Sequence, residues 1–473
     1  MFRGRLTAAL IAAMATVGLV TSSAVASSGK PTGPGIPINV DASQRQHNES
    51  EGTIAVNPTN PNNIVIITNV DFPAAGLFKG VSFDGGTTWT RTLIGNGDNL
   101  GDACCDPTMS FDSSGNLFMA YLLNVGATVP VAYSTDGGVT LTRIPDIAKP
   151  SGSNSVTANE RKGLFRFTDQ PTITTGHGDV WVVFNAGGPI VATGSTAAAL
   201  LAGGSFPPVV VVPGTNNCTY GDVAIGPTGA VMNVCTLTES GQGGGKLFVN
   251  VDPGLGPQPF SSSRTFVIDT HVGGFDFIPP QPDRSIDAEP GLAWDRTGGP
   301  HNGRVYLVYT LEVKNESDNT DIFVRYSDDQ GMTWSAPVRV NDDATKNSQF
   351  LPKISLDQTT GNLAVVWYDS RNDLGTGGPG DTDGLPNTDA QFWGAFSSDG
   401  GLSFTKNFQI SAGTSNSPDA QNGIDYGDYT GVSFYGGIAH PVWADNSNST
   451  GTNPDGTLHQ LDDYTAAIPI AGR

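Results

Sequence analysis

The feature that most restricts this chain is a unit that recurs seven times. Each copy opens on an acidic or polar residue, passes a proline or small residue, and runs through an apolar alternation to a polar turn. A second apolar strand then returns. The copies are Glu51-Gly-Thr-Ile-Ala-Val-Asn-Pro with 63–69, Asp106-Pro-Thr-Met-Ser-Phe-Asp with 116–122, Gln170-Pro-Thr-Ile-Thr-Thr-Gly with 179–185, Asp222-Val-Ala-Ile-Gly-Pro with 230–235, Glu289-Pro-Gly-Leu-Ala-Trp-Asp with 304–310, Leu351-Pro-Lys-Ile-Ser-Leu-Asp with 362–368, and Tyr429-Thr-Gly-Val-Ser-Phe-Tyr with 438–445. Their first inward apolar residues are Ile54, Met109, Ile173, Val223, Leu292, Ile354 and Val432, spaced 55, 64, 50, 69, 62 and 78 residues apart. A period near 60 with alternating apolar residues is four short strands and their turns. Only residues 196–202 look locally helical.

A second motif follows four of these anchors: Ser82-Phe-Asp84-Gly-Gly86-Thr-Thr88-Trp89, repeated at 134–141, 327–334 and 397–404. Its chemistry is that of a turn. The short Asp carboxylate accepts from turn N–H groups, the glycine takes a positive φ, and the aromatic residue returns the next strand to an apolar seam. One four-stranded sheet cannot bury both its faces, but sheets packed radially bury each other's. The fold expected is therefore all-β, a β-propeller of seven four-stranded blades in a single domain spanning 27–473. The last unit supplies three strands (431–434, 438–445 and 460–470) before the chain ends. Residues 36–40 resemble the fourth strands near 336–342 and 407–412, so the N-terminal segment is expected to complete the last blade and remove an exposed edge.

Ahead of the repeats, Arg3 and Arg5 precede an uncharged apolar run, 6–20, and the small-x-small triplet Ala24-Val25-Ala26. This reads as a signal peptide cleaved after Ala26, too short for a membrane span, so the protein is expected outside the cell or in the periplasm. The formal net charge of −21 argues against binding nucleic acid or inserting at an anionic membrane. Hydrophobic residues make up 37% of the chain, which excludes a polyelectrolyte coil. Export permits disulfides. Cys218 and Cys235 flank a hairpin and are expected to bridge. Cys104 and Cys105 are adjacent and leave three outcomes open: a vicinal disulfide, free thiols or a metal site.

In propellers the lead-in to each innermost strand lies near the central channel. The residues there are Glu51, Asp106, Asp169, Asp222, Glu289, Asp425 and Asp428. Arg45, Arg166 and Arg284 lie shortly before three of the lead-ins, and Tyr426 and Tyr429 at the last. Converging carboxylates displace one another's pKa values and provide acid, base or nucleophile. Separately, Asp381-Thr-Asp383-Gly-Leu-Pro-Asn387-Thr-Asp389, inside the insertion 374–390, alternates oxygen donors about a Gly turn. That ligand set suits calcium, although the loop lacks the full twelve-residue calcium pattern. No cofactor is otherwise expected. The histidines show no zinc spacing. Two long segments stand outside the repeat: 149–167, placed to cover one face, and 255–287, whose Phe260, Phe266, Phe275 and Phe277 either pack the loop or stack on sugar rings.

The four Ser-x-Asp-x-Gly-x-Thr-Trp boxes within a larger repeat resemble those of the secreted bacterial sialidase-like, Asp-box (BNR) propellers, over about residues 37–470. That resemblance implies a carbohydrate-active protein, an exo-glycosidase of the sialidase type acting on extracellular glycans as a monomer. It also implies that the boxes lie on the face away from the active site. The usual six blades of that family remain the alternative to seven. A sialidase of this kind uses three arginines for the sugar carboxylate, a Tyr–Glu pair and an Asp acid. By this resemblance Tyr429 or Tyr426 is the nucleophile or base, Glu289 its partner and Asp106 the acid, with Arg45, Arg166, Arg284, Asp169 and Glu51 around the substrate. The family's Arg-Ile-Pro motif has one match, Arg143-Ile144-Pro145; it follows the second box as part of an outer strand, so its role is not carried over. The competing function is a non-catalytic propeller that binds glycan or protein at the cell surface.

Overall fold

The computed structural model of the chain describes residues 33–470, apart from 72–73, 125–127, 149–167, 239–240, 256–259, 261–264, 316 and 422. The expected signal peptide, the segment 149–167 and Arg166 lie outside the described residues. Among those residues no helix is long and apolar enough to cross a membrane.

Seven antiparallel sheets form the blades: six of four strands each in chain order, and a seventh in which the short strand Ile468–Pro469 is added to a path of four. Their innermost strands are Glu49–Val56, Thr108–Phe111, Asp169–Gly176, Cys218–Ile225, Gly291–Trp294, Gln349–Leu356 and Gly431–Tyr435. Each innermost strand touches the next, and the seventh returns to the first. The seven-bladed ring is thus closed, and the six-bladed alternative is ruled out.

The second strand of each blade shows why the sequence reads as apolar runs and not as simple alternation. In blade 1, Ile64 and Ile66 join Val442 of blade 7 in one core, while Val65 and Ile67 join Met109 and Leu117 of blade 2 in another. Successive side chains point to opposite sheet faces, and in a propeller both faces meet a neighbour. The innermost strands must also converge on the axis. Each therefore carries a small residue after its apolar anchor: Ala55, Ser110, Thr174, Ala224, Ala293, Ser355 and Ser433. Some of these hydroxyls join adjacent blades: Ser433 Oγ accepts from Val56 N at 3.0 Å and Ser355 Oγ from Phe434 N at 3.1 Å.

The ring is latched by the N-terminal segment. Asn39–Asp41 pairs antiparallel with Asp462–Ala466, the third strand of blade 7. The pairing starts three residues later than the 36–40 window suggests, since Ile36 and Ile38 are exposed, Ile38 at 87%. Residues 196–202 do form a helical turn, Ala197–Leu201, capped by Thr196.

The Asp boxes are hydrogen-bonded turns between the third and outer strands. In the first, Asp84 Oδ1 accepts from Thr88 N at 2.9 Å and Oδ2 from Thr88 Oγ1 at 2.6 Å, while Ser82 Oγ accepts from Gly86 N at 2.9 Å. The bonds recur at Asp136, Asp329 and Asp399. Strand direction puts these turns on the face opposite the lead-ins to the innermost strands. Arg143 lies in the outer strand Thr142–Ala148 and bonds Asp146, so it stands far from any channel role.

Candidate active site

The lead-in residues adopt an unusual backbone. Glu51, Asp106, Gln170, Glu289 and Leu351 hold φ of 60, 52, 44, 43 and 48°. All but Glu51 stand before proline, which already bars the right-handed helical region. Non-glycine residues held here carry strain of roughly 1–3 kcal/mol each. The turn lets a lead-in carboxylate bond across to a neighbouring blade. Glu51 Oε1 accepts from Asp428 N of blade 7 at 2.9 Å, and its Oε2 takes the Asn69 amide. Asn69 Oδ1 in turn accepts from Asp106 N at 2.9 Å, and Asp106 Oδ2 from Gln170 N of blade 3 at 3.0 Å. Gln170 Nε2 donates to Asp428 Oδ2 at 3.1 Å, which closes the circuit over the mouth of the channel.

An inserted hairpin between blades 4 and 5, Asp276–Ile278 with Gln281–Ile286, reaches across this mouth. Gln281 Nε2 donates to Gly427 O at 3.0 Å, and Asp425 Oδ2 accepts from Asp283 N and Arg284 N at 2.8 and 2.9 Å. Thus anchored, Arg284 forms a two-pronged ion pair with Asp428 through Nε, at 2.7 Å, and Nη2. A cavity of about 310 Å³ remains, lined by Asp169, Gln170, Asn185, Arg284, Asp287 and Asp428, with Phe275 61% exposed on its rim. Below it the channel passes Tyr429, Asp222 and Lys353.

Burial raises these acids. Burial pushes Asp287 up to about 7. Its Oδ1 accepts from Glu289 N at 2.6 Å. Burial and then the Asp428 charge raise Glu51 to about 7. Asp106 is raised well above the carboxylate range by burial, then by Glu51 and Asp169. Asp169 is raised as well, by burial and then by the Asp428 charge, and its bond to Asp106 opposes that rise. The mouth thus gathers acids that all lie above the ordinary carboxylate range. A carboxyl raised in this way can hold a proton near neutral pH, as a general acid must.

The sequence candidates divide. Glu51, Asp106, Asp169, Glu289, Arg284 and Tyr429 converge at the mouth. Tyr429 lies among Asp106, Glu51, Asp428 and Glu289; burial and these charges raise its phenol well above 10, so it keeps its proton. Tyr426 does not belong there: it is fully buried and stacked on Tyr368 with ring centroids 4.3 Å apart. Arg45 lies in the closure seam, paired with Glu49 at 3.1 Å. Asp222 bridges blades deeper in the channel, accepting from Leu292 N at 2.7 Å. Asp287 and Gln170 were not among the candidates. Gln170 aligns with Glu51, Asp106 and Glu289 as the residue before Pro or Gly, a signal the repeat itself carries. Asp287 sits outside the repeat alignment and has no such signal. Phe260 packs edge-on against Trp181, whereas Phe275 meets solvent at the pocket.

In the blade 6 insertion, carboxylate oxygens of Asp373, Asp381 and Asp389 lie within 4.8 Å of one another. Asp383 is not in this group and instead accepts from Leu385 N at 2.7 Å and from Thr388 Oγ1. Both disulfides are formed, Cys218–Cys235 and Cys104–Cys105. The vicinal pair immediately precedes Asp106 and is clamped to Leu122 by Cys104 N→Leu122 O at 3.0 Å and Leu122 N→Cys105 O at 2.9 Å.

No family model matches the chain, and no curated protein does. Among solved structures, a protein of unknown function from Dyadobacter fermentans DSM 18053 is 11% identical with a TM-score of 0.48, covering 93% of this chain and 100% of that one. The phage phi92 endosialidase is 10% identical with a TM-score of 0.49, covering 92% and 70%. An alpha-L-arabinanase of Penicillium chrysogenum, complexed with arabinobiose, is 14% identical with a TM-score of 0.44, covering 71% and 94%. At these values no activity is carried across.

Proposed function

We propose that this protein is a carbohydrate-active propeller that removes terminal sugars from extracellular glycans by hydrolysis at the acidic mouth of its channel. The observation that carries the reading is that Asp287, raised by burial to about 7, and Asp169 line one pocket. Asp287 would protonate the leaving oxygen, and Asp169 would activate water or attack the sugar. Tyr429 lies in the channel below this pocket, and Arg284 holds Asp428 in place. A pocket of about 310 Å³, in contrast to a long groove, suits a chain end.

The sugar is neutral on this reading. Only Arg284 among the described arginines lines the pocket, and it is already paired, so the three-arginine clamp for a sugar carboxylate is not assembled among the described residues. The test is a panel of neutral and sialic acid aryl glycosides, followed by natural oligosaccharides. Release from a neutral substrate that falls at least about a hundredfold in Asp169→Asn and Asp287→Asn supports the proposal. Binding without turnover in the unaltered protein moves it to the binding propellers, and unchanged rates in both variants remove these two residues.

A further inference from the structure

The channel has a second end. On the face opposite the acids it opens into a cavity of about 600 Å³, walled in part by Pro58, Phe111, Ala198, Leu201, Phe434 and Tyr435. Arg296, two residues beyond the innermost strand of blade 5, lines both this cavity and the channel above it.

Three blades fix that side chain. Its backbone N–H donates to Gln358 Oε1 at 2.9 Å, and Gln358 Nε2 donates to Trp294 O at 2.8 Å, so blade 6 clamps the turn. Nη1 donates to Ile225 O of blade 4 at 2.7 Å. On blade 3, a Cβ at Gly176 would lie 2.9 Å from Nη1, so glycine makes the room. Nε and Nη2 make no hydrogen bond among the described residues.

The nearby carboxylates do not serve this cation. Asp295 accepts from Thr297 N and Oγ1, at 2.8 and 2.6 Å. Asp357 accepts from Thr359 N at 2.8 Å and from Gly437 N of blade 7, also at 2.8 Å. Asp112 accepts from Ser114 N and Asn116 N, at 2.8 and 2.9 Å. Among the described residues Arg296 has no ion pair. Burial lowers its pKa, and the field of Asp295 only opposes that trend. In a chain with 45 acidic residues against 24 basic ones, this is not for want of acid. No carboxylate bonds it among the described residues, and a guanidinium that faces a cavity with two free donors can bind an anion through two hydrogen bonds.

We propose that the lower end of the channel binds a small organic carboxylate, its anionic head on Arg296 and its apolar body against Phe111, Leu201 and Tyr435. The cavity falls in the usual size range of small-molecule sites, roughly 300–1,000 Å³. The site is independent of any chemistry at the upper mouth.

Isothermal titration with benzoate tests it, with benzamide as the neutral shape control and inorganic sulfate as an anion without an apolar body. Benzoate should bind the unaltered protein at least about tenfold more tightly than benzamide or sulfate. Arg296→Met should lose that advantage, and Arg296→Lys should keep part of it. Melting midpoints of the variants check that they fold; if Arg296→Met does not, the Lys variant and the benzamide comparison still decide. Equal binding of benzoate and benzamide, or no benzoate binding, overturns the site. Sulfate binding as tightly as benzoate overturns the organic part of the assignment.

Discussion

Asp463→Asn should make the protein more stable at neutral pH, and the gain should vanish in acid. Asp463 sits on the strand that holds the N-terminal latch: its carbonyl accepts from Ala42 N at 2.8 Å and its N–H donates to Ser43 Oγ at 2.9 Å. Its side chain is fully buried, with neither carboxylate oxygen hydrogen-bonded among the described residues. The neighbouring Thr68 hydroxyl donates to Ser50 O at 2.6 Å instead. Burial, chiefly, raises the group from 3.8 to about 7. A raised folded pKa means the folded state holds the proton more tightly than the unfolded one. That contribution is complete below about pH 4 and is lost as pH climbs through about 7. A shift of about three units at 1.36 kcal/mol each amounts to about 4 kcal/mol. Urea unfolding of both proteins from pH 4.5 to 8.5 reads the difference, to which relief of the neighbouring Glu49 from the Asp463 charge adds in the same direction. The variant's advantage should grow with pH toward about 4 kcal/mol. Parallel curves would show that this carboxylate is solvated or paired and would refute the reasoning.

Three further outcomes follow from the geometry. If Asp287 delivers the proton, glycan hydrolysis should fall as pH rises through about 7, the value to which burial brings it; a pH–rate profile flat from 6 to 8 excludes it as the acid. Asp84→Ala should lower the melting midpoint yet leave hydrolysis untouched, because the turn it caps lies on the far face; a loss of kcat at an unchanged midpoint would contradict that. For the Asp373, Asp381 and Asp389 group the oxygen donors suit calcium, so a chelator should lower the melting midpoint and added calcium restore it. An unaltered midpoint would leave the insertion held by its own hydrogen bonds, such as Asp373 Oδ2 accepting from Asp389 N at 2.8 Å.

The sequence disclosed the ring because the ring is periodic. Alternation along each innermost strand, the small residue after each anchor and the orphan segment near residue 40 are all consequences of packing sheets about an axis, and each is visible in one dimension. The site was legible only where it shares that period, as at Glu51, Asp106 and Glu289. Tyr426 and Tyr429 look equivalent three residues apart, yet one stacks in the core and the other borders the channel, because the chain turns between them at Gly427, whose φ is 83°. Asp287 rides on an insertion with no repeat to align against, while Arg284 on the same insertion was legible only by its place shortly before a lead-in. Asp373 joins Asp381 across a loop whose closure no local spacing announces, which is why Asp383 stood in its place.

The strand that completes blade 7 is the first described strand to be synthesised, and its partner is among the last. Residues 39–41 must therefore wait for 462–466 before the circle can form. Until the tail is present, the outermost position of blade 7 stays vacant, and the nascent chain stays short of its full cooperative stability. Pairings so distant along the chain also make for slow assembly. A polypeptide of this design acquires its final shape only when the two ends of its ring have met.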